Sequence, residues 1–206
     1  MIEKLTKIKL NDIVYISDKQ SLLDNKTVEK IGYSVHTISK FAIPGITYKI
    51  LTLVSLSPEN NIVYVVVNQS GIDKEVGLYF SVDLFPQGSN RKDILDSENE
   101  WLFNKPDTKD YVPSDLSFTN LISMGDVSYK QKFPVIHGEY RENYRTDPLF
   151  CSLTEYRSEN DIVNKDVILF EVGGMDKDLN LIPDGGSVYL MHGRELAEND
   201  IEILLK

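Results

Sequence analysis

The loop from Gly173 to Gly186, GGMDKDLNLIPDGG, alternates Asp176, Asp178 and Asn180, and Asp184 adds a fourth oxygen donor. Alternating carboxylates in a glycine-flanked loop are the raw material of a calcium site. The EF-hand pattern breaks at its sixth and twelfth positions, where Leu181 and Ser187 replace the glycine and the bidentate glutamate. A solvated hairpin tip has the same composition, so the loop stands as a metal candidate against that alternative.

Two short segments place imidazole beside carboxylate, His137-Gly138-Glu139 and His192-Gly193-Arg194-Glu195. These are the ingredients of general acid–base chemistry. If His137 and His192 converged with the Asp176–Asp184 loop, a metal-assisted hydrolase or transferase would result. Neither HExxH nor another clustered ligand spacing is present, and the third histidine, His36, lies in an unrelated segment. Cys151 has apolar neighbours and reads as a buried, inert thiol. No serine sits in a G-x-S-x-G elbow and no glycine pattern suits a phosphate. No catalytic residue and no cofactor is therefore assigned, and the leading expectation is a protein that is not an enzyme.

The segment Glu139 to Arg157 interleaves Tyr140, Tyr144 and Tyr156 with Arg141, Arg145 and Arg157. Tyrosine and arginine dominate interface hot spots because they bury much area while a polar end stays satisfied. These six residues form the candidate partner-binding surface. Glu139, Glu142, Asp147 and Glu155 lie among them and would repel the phosphates of a nucleic acid. The competing reading has tyrosines covering a sheet edge and arginines pairing with those acids.

Charge points the same way. Across 206 residues, 22 Lys and Arg face 32 Asp and Glu, a formal net charge of −10, which disfavours nucleic acid and anionic lipid and favours a protein partner with a basic surface. One cysteine excludes an internal disulfide and fits a reducing compartment. No apolar run reaches the length of a membrane span, and MIEKLTKIKL lacks a signal-peptide core. The expected location is the cytoplasm.

The elements that must position these residues centre on Ile46 to Phe85, which reads as three consecutive strands. Val63 to Val67 is apolar on both faces, as in a strand covered on each side. In the third strand Val76, Leu78, Phe80, Val82 and Leu84 share the face expected to be covered, while Glu75, Gly77, Tyr79, Ser81 and Asp83 share the other. Before this meander, a short strand or interrupted pair is expected around Ile8 to Tyr15. A helix from Asp18 ended by Gly32 is expected next, with a long loop as its rival, and then alternation from Ser34 to Phe41. After it, Ser89 or Asn90 caps a helix packing Trp101 on the sheet, and Ser114 caps a second helix through Phe118, Leu121 and Ile122 to Gly125. Strands follow at Tyr129–Ile136, Cys151–Tyr156, Asp166–Val172, Ser187–His192 and Ile201–Leu205. The sum is a single α+β domain over residues 1–206, mainly antiparallel β-sheet with two or three short helices. A subdomain split near residues 104–113, NKPDTKDYVP, is the alternative.

The order of features (meander, acidic stretch with Trp101, Tyr–Arg segment, then Thr154-Glu155 and a strand VILFEV) resembles the YjfK-like family of uncharacterised bacterial proteins from about Ile46 onward. That resemblance implies a bacterial, intracellular protein and brings no catalytic site. The functional expectation is a non-catalytic protein-interaction domain: an adaptor, inhibitor or immunity-type protein. Its rivals are the metal-assisted enzyme and a structural subunit of a phage or secretion assembly, built through the sheet edges.

Overall fold

The computed structural model describes residues 2–17, 30–58, 61–82, 84–85, 88–104, 117–143, 145–158, 165–178, 180, 182 and 185–205. In chain order the elements are α1 (Ile2–Lys7), β1 (Ile13–Ser17), β2 (Lys30–Ile43), β3 (Ile46–Ser55), β4 (Ile62–Ser70), β5 (Asp73–Ser81), α2 (Arg91–Leu95), β6 (Phe103–Asn104) and β7 (Ser117–Phe118). There follow β8 (Leu121–Met124), β9 (Val127–Gln131), β10 (Ile136–Glu142), β11 (Leu149–Ser158), β12 (Lys165–Val172), β13 (Ser187–Glu195) and β14 (Ile201–Leu204). This is an α+β fold dominated by antiparallel sheet, with two short helices among the described residues. Among the described residues, no helix is long and apolar enough to cross a membrane.

The sheet closes on itself. Its strands run in the order β2-β3-β4-β5-β13-β12-β11, and β10 pairs with both β11 and β2, completing a barrel of these eight strands. The expected three-strand meander forms β3–β5, and β2 joins it to supply half the wall. Gly45 and Gly71, with φ of 85° and 59°, take left-handed conformations in the two tight turns, where a Cβ would be strained.

Two strands serve more than the barrel. Along one edge of β2, residues 30–34 pair with β1 and residues 39–42 with β10. Along one edge of β11, residues 149–153 pair with β10 and residues 156–158 with β9. The ribbons β14–β1 and β8–β9 therefore branch from the barrel at these two strands.

Three apolar clusters hold the walls. Phe41, Tyr48, Ile50, Val66, Tyr79, Tyr140, Cys151, Leu153, Ile168, Phe170 and Met191 fill the lumen and join the two halves of the barrel. Outside β1–β5, Leu5 and Ile8 cover Val14, Val35, Leu53, Val65 and Leu78. Lys49 fastens the end of α1 by donating to the carbonyls of Leu5 (2.7 Å) and Thr6 (3.1 Å), groups that a helix terminus leaves unfilled. Outside β11–β13, Ile94, Leu102, Phe103, Phe118 and Ile122 lie over Tyr156, Val167, Leu169 and Val188. Asn90 caps α2 in a reciprocal capping box with Asp93. Arg91 of α2 is clamped to Glu171 of β12 beneath the rings of Phe103 and Phe118.

Several local expectations are corrected. Residues 2–7 form α1, and the strand begins only at Ile13. The helix expected from Asp18 lies outside the described residues up to position 29, but Ile31 and Gly32 at its expected end belong to β2. The helix through Phe118 and Ile122 is replaced by β7 and β8, with Gly125 in the turn between β8 and β9. The Trp101 helix divides into α2 and a single 3-10 turn, Glu100–Leu102. Leu102 is buried there, whereas Trp101 is 37% exposed. In β2, a bulge between Val35 and Thr37 interrupts the alternation and exchanges faces, sending Val35 outward and Phe41 into the lumen.

Both faces of β5 are covered along its middle. The face carrying Glu75, Gly77 and Tyr79, read from sequence as the less covered one, turns into the lumen, while Phe80 on the apolar face is 48% exposed. A barrel interior can hold polar side chains at its mouth, so alternation identifies two faces without saying which is inside.

Candidate functional site

Strand alternation places the polar ends of the lumen-facing rows at one mouth of the barrel. Asn68 of β4, Glu75, Gly77 and Tyr79 of β5, Glu155 and Arg157 of β11, Asp166 of β12 and Glu195 of β13 line one cavity of about 200 Å³. An adjoining cavity of about 250 Å³ shares Asn68, Glu75 and Glu155 and adds Tyr48, Asp73, Lys132 and Phe133. Each is smaller than the roughly 300–1,000 Å³ typical of pockets for drug-sized ligands. The mouth is sized for a side-chain-like group rather than a large apolar molecule.

Lys132, in the connection after β9, supplies a cation at the centre. Its backbone N–H donates to the Glu155 carbonyl at 2.8 Å. Its Nζ lies 2.7 Å from Glu155 Oε2, 3.8 Å from Glu75 Oε2 and 3.9 Å from Asp166 Oδ2. Arg157 reaches Asp166 through two contacts, of 3.1 and 3.3 Å, and that bond raises its pKa. Five lining carboxylates, Asp73, Glu75, Glu155, Asp166 and Glu195, thus face two cations. The mouth carries a net negative charge inside a partly desolvated wall, where fields are strongest.

Three neutral groups complete it. The Tyr48 hydroxyl is held protonated by burial first and by the Glu155 charge second, and burial does the same for Tyr79. Tyr79 is only 6% exposed, yet its hydroxyl makes no hydrogen bond with any described residue. Asn68 directs Nδ2 toward Glu155 Oε1 and the Tyr48 hydroxyl, both at 3.4 Å, and its buried Oδ1 has no partner. Turning the amide over would set Oδ1 against the carboxylate and orphan the N–H donors instead.

Tyr79 can lie in the wall because two glycines make room for it. A Cβ on Gly193, its cross-strand partner, would come within 2.3 Å of the ring, and one on Gly77 within 2.4 Å. The ring therefore lies flat over both glycines, with its hydroxyl end beside Gly77, and the space in front of it stays open.

No family model, curated protein or solved structure matches this chain.

The residues singled out from sequence are dispersed. Tyr140 faces the lumen and its hydroxyl donates to Glu142 at 3.2 Å. Tyr156 is buried beneath the other outer layer and donates to the Thr119 carbonyl at 2.8 Å. Arg141 pairs with Glu139 and Arg145 with Glu142, each at 3.0 Å. Tyr144 lies outside the described residues. Of the five that are described, only Arg157 reaches the barrel mouth.

In the glycine-flanked loop, Asp176 Oδ1 accepts the backbone N–H groups of Asp178 (2.8 Å) and Asn180 (2.9 Å), and Oδ2 accepts the Asn180 side chain at 3.1 Å. These local donors lower the Asp176 pKa. Asp184 lies outside the described residues. His137 and His192 do not converge: Nδ1 of one meets the Ser152 hydroxyl at 2.9 Å on the β10 side, and Nε2 of the other meets Tyr129 at 3.0 Å, with β11 and β12 between their strands. Among the described residues, no three His, Cys, Asp or Glu side chains are grouped to hold a metal ion. Cys151 is buried in the lumen, and burial drives its thiol pKa well up.

Sequence reasoning missed the mouth. The available signal was the spacing Glu75-Gly77-Tyr79, in which small and large residues alternate on one face of a strand beside an acid.

Proposed function

We propose that this chain is a non-catalytic binding domain whose acidic barrel mouth receives a basic group presented by another protein. The observation that carries this reading is the excess of carboxylates over cations around two small adjoining cavities, on a chain whose formal charge is −10. A long-range negative field accelerates encounter with a basic surface, and the cavity gives one cationic group a place to lodge. In this reading the lone Cys151 and the absence of disulfides suit the cytoplasm.

The mouth, rather than the Tyr–Arg segment, is the place to test. The comparison is between Asp73→Asn/Glu75→Gln/Glu195→Gln, which neutralises rim acids, and Arg141→Ala/Arg145→Ala, which removes two outward arginines. A salt-sensitive partner captured by wild-type protein should be lost by the first variant and kept by the second. Loss by the second alone, or association indifferent to salt, would defeat the proposal.

A further inference from the structure

Deepening that reading and resting on it, the geometry points to a seat for one primary alkylammonium group, the chemistry of a lysine side chain, in the cavity between Tyr79, Asn68 and Glu75. An ammonium brings three N–H donors and a single charge. Three acceptors with no filled hydrogen bond belong to residues lining this cavity: the Tyr79 hydroxyl, the buried and orphan Asn68 Oδ1, and the Glu75 carboxylate, whose nearest cation, Lys132, is 3.8 Å away.

The acids alone would not make this a site. What marks it is the unpartnered Tyr79 hydroxyl, on a side chain 94% removed from solvent by its 6% exposure, held open to the cavity by two glycines. Beside it, Asn68 Oδ1 is shut off from water with no partner, a desolvation that a bound N–H donor would offset. Lys132 shows the chemistry on the same wall: a chain-borne ammonium already sits among Glu155, Glu75 and Asp166. The apolar faces of Val66 and the Tyr79 ring can receive an alkyl stem.

The test is an ¹H–¹⁵N NMR titration of the full chain with n-butylammonium chloride, with tetramethylammonium chloride as a cation that has no N–H donor. Saturable shifts of the Gly77 and Gly193 amides are expected with the first salt and not with the second. Tyr79→Phe should weaken n-butylammonium binding roughly ten- to hundredfold, the worth of one hydrogen bond to a charged donor. Glu75→Gln, at an exposed carboxylate that leaves the fold intact, should weaken it as well. Equal shifts with both salts, or unchanged affinity in both variants, would overturn the seat.

A capped lysine peptide in place of the free amine identifies the source. Tighter binding of the peptide assigns the seat to a protein side chain, and exclusion of the peptide while n-butylammonium binds assigns it to a free amine and overturns the lysine reading. The two proposals fail separately. Without amide shifts, partner capture that still depends on Glu75 and Glu195 removes the seat and leaves the binding domain. With shifts but capture indifferent to the rim acids, the seat stands and the docking mode falls.

Discussion

Arg91 and Glu171 meet face to face outside the barrel wall, with Nη2 2.6 Å from Oε2 and Nε 3.2 Å from Oε1. Their side chains are 6% and 1% exposed, and the guanidinium lies 5.1 Å from the centre of the Phe103 ring. The pair ties α2, and with it the outer layer that follows β5, to the middle of the sheet.

Removing one member should cost far more than the pair contributes. Arg91→Met leaves a buried carboxylate uncompensated, a loss of about 3–5 kcal/mol. Arg91→Met/Glu171→Leu should be less destabilised than Arg91→Met alone, as measured by urea unfolding. A double variant weaker than the single would show that the charges themselves stabilise the fold.

The glycine bed of Tyr79 makes a second expectation. In Gly77→Ala the three atoms nearest the new methyl all belong to the Tyr79 side chain, the closest at 2.4 Å, so overpacking should destabilise by about 1–3 kcal/mol. Tyr79→Leu in the same chain removes the obstruction. The two substitutions should therefore combine to less than the sum of their separate effects, and strict additivity in thermal melts would contradict the packing described.

Cys151 should report on opening of the barrel. Its thiol is buried in the lumen and its pKa is raised by burial, then by the Glu171 charge, while only thiolate reacts with alkylating agents. Iodoacetamide labelling at neutral pH should be slow in native buffer and accelerate through the urea transition. Rapid labelling of folded protein would contradict the assignment.

His137 makes stability pH-dependent. Burial, and after it the charge of Arg91, hold its pKa below the ordinary 6.5, with Glu171 partly opposing. The unfolded chain then binds the proton first, so stability falls as pH drops through 6.5 toward the lower folded value and is unaffected by this group above 6.5. His137→Asn should flatten that part of the pH–stability curve, modestly because the residue is partly exposed. An unchanged slope would assign it to other groups.

Much of the wall is legible in the chain because strand physics is local. Val63 to Val67 reads as covered on both faces and is, and the strands from Leu149 onward begin and end close to where β-branched and aromatic runs do, whereas the expected strand Tyr129–Ile136 divides into the end of β9 and the start of β10. Closure is not local: nothing in the alternation of β5 says that the side bearing Glu75 and Tyr79 curls into a lumen. The bulge at His36 exchanges faces without any glycine to announce it. Phe118, Leu121 and Ile122 have the spacing of a helix face, yet their run is short enough for pairing partners to decide, and those partners make it two strands. The Tyr–Arg segment was legible as composition only, because alternation and the burial of Tyr156 send neighbouring side chains to different surroundings.

The pairing of β1 with β14 sets the order in which the molecule can assemble. The turns of β2–β5 need only neighbouring residues, whereas the Ile13–Leu204 register joins positions from opposite ends of the described chain. Contacts of that separation are entropically late. During synthesis the meander can form first and must wait, with the β5 edge open, until β13 leaves the ribosome. The emerging chain thus passes through a half-barrel whose unpaired backbone is its most aggregation-prone moment.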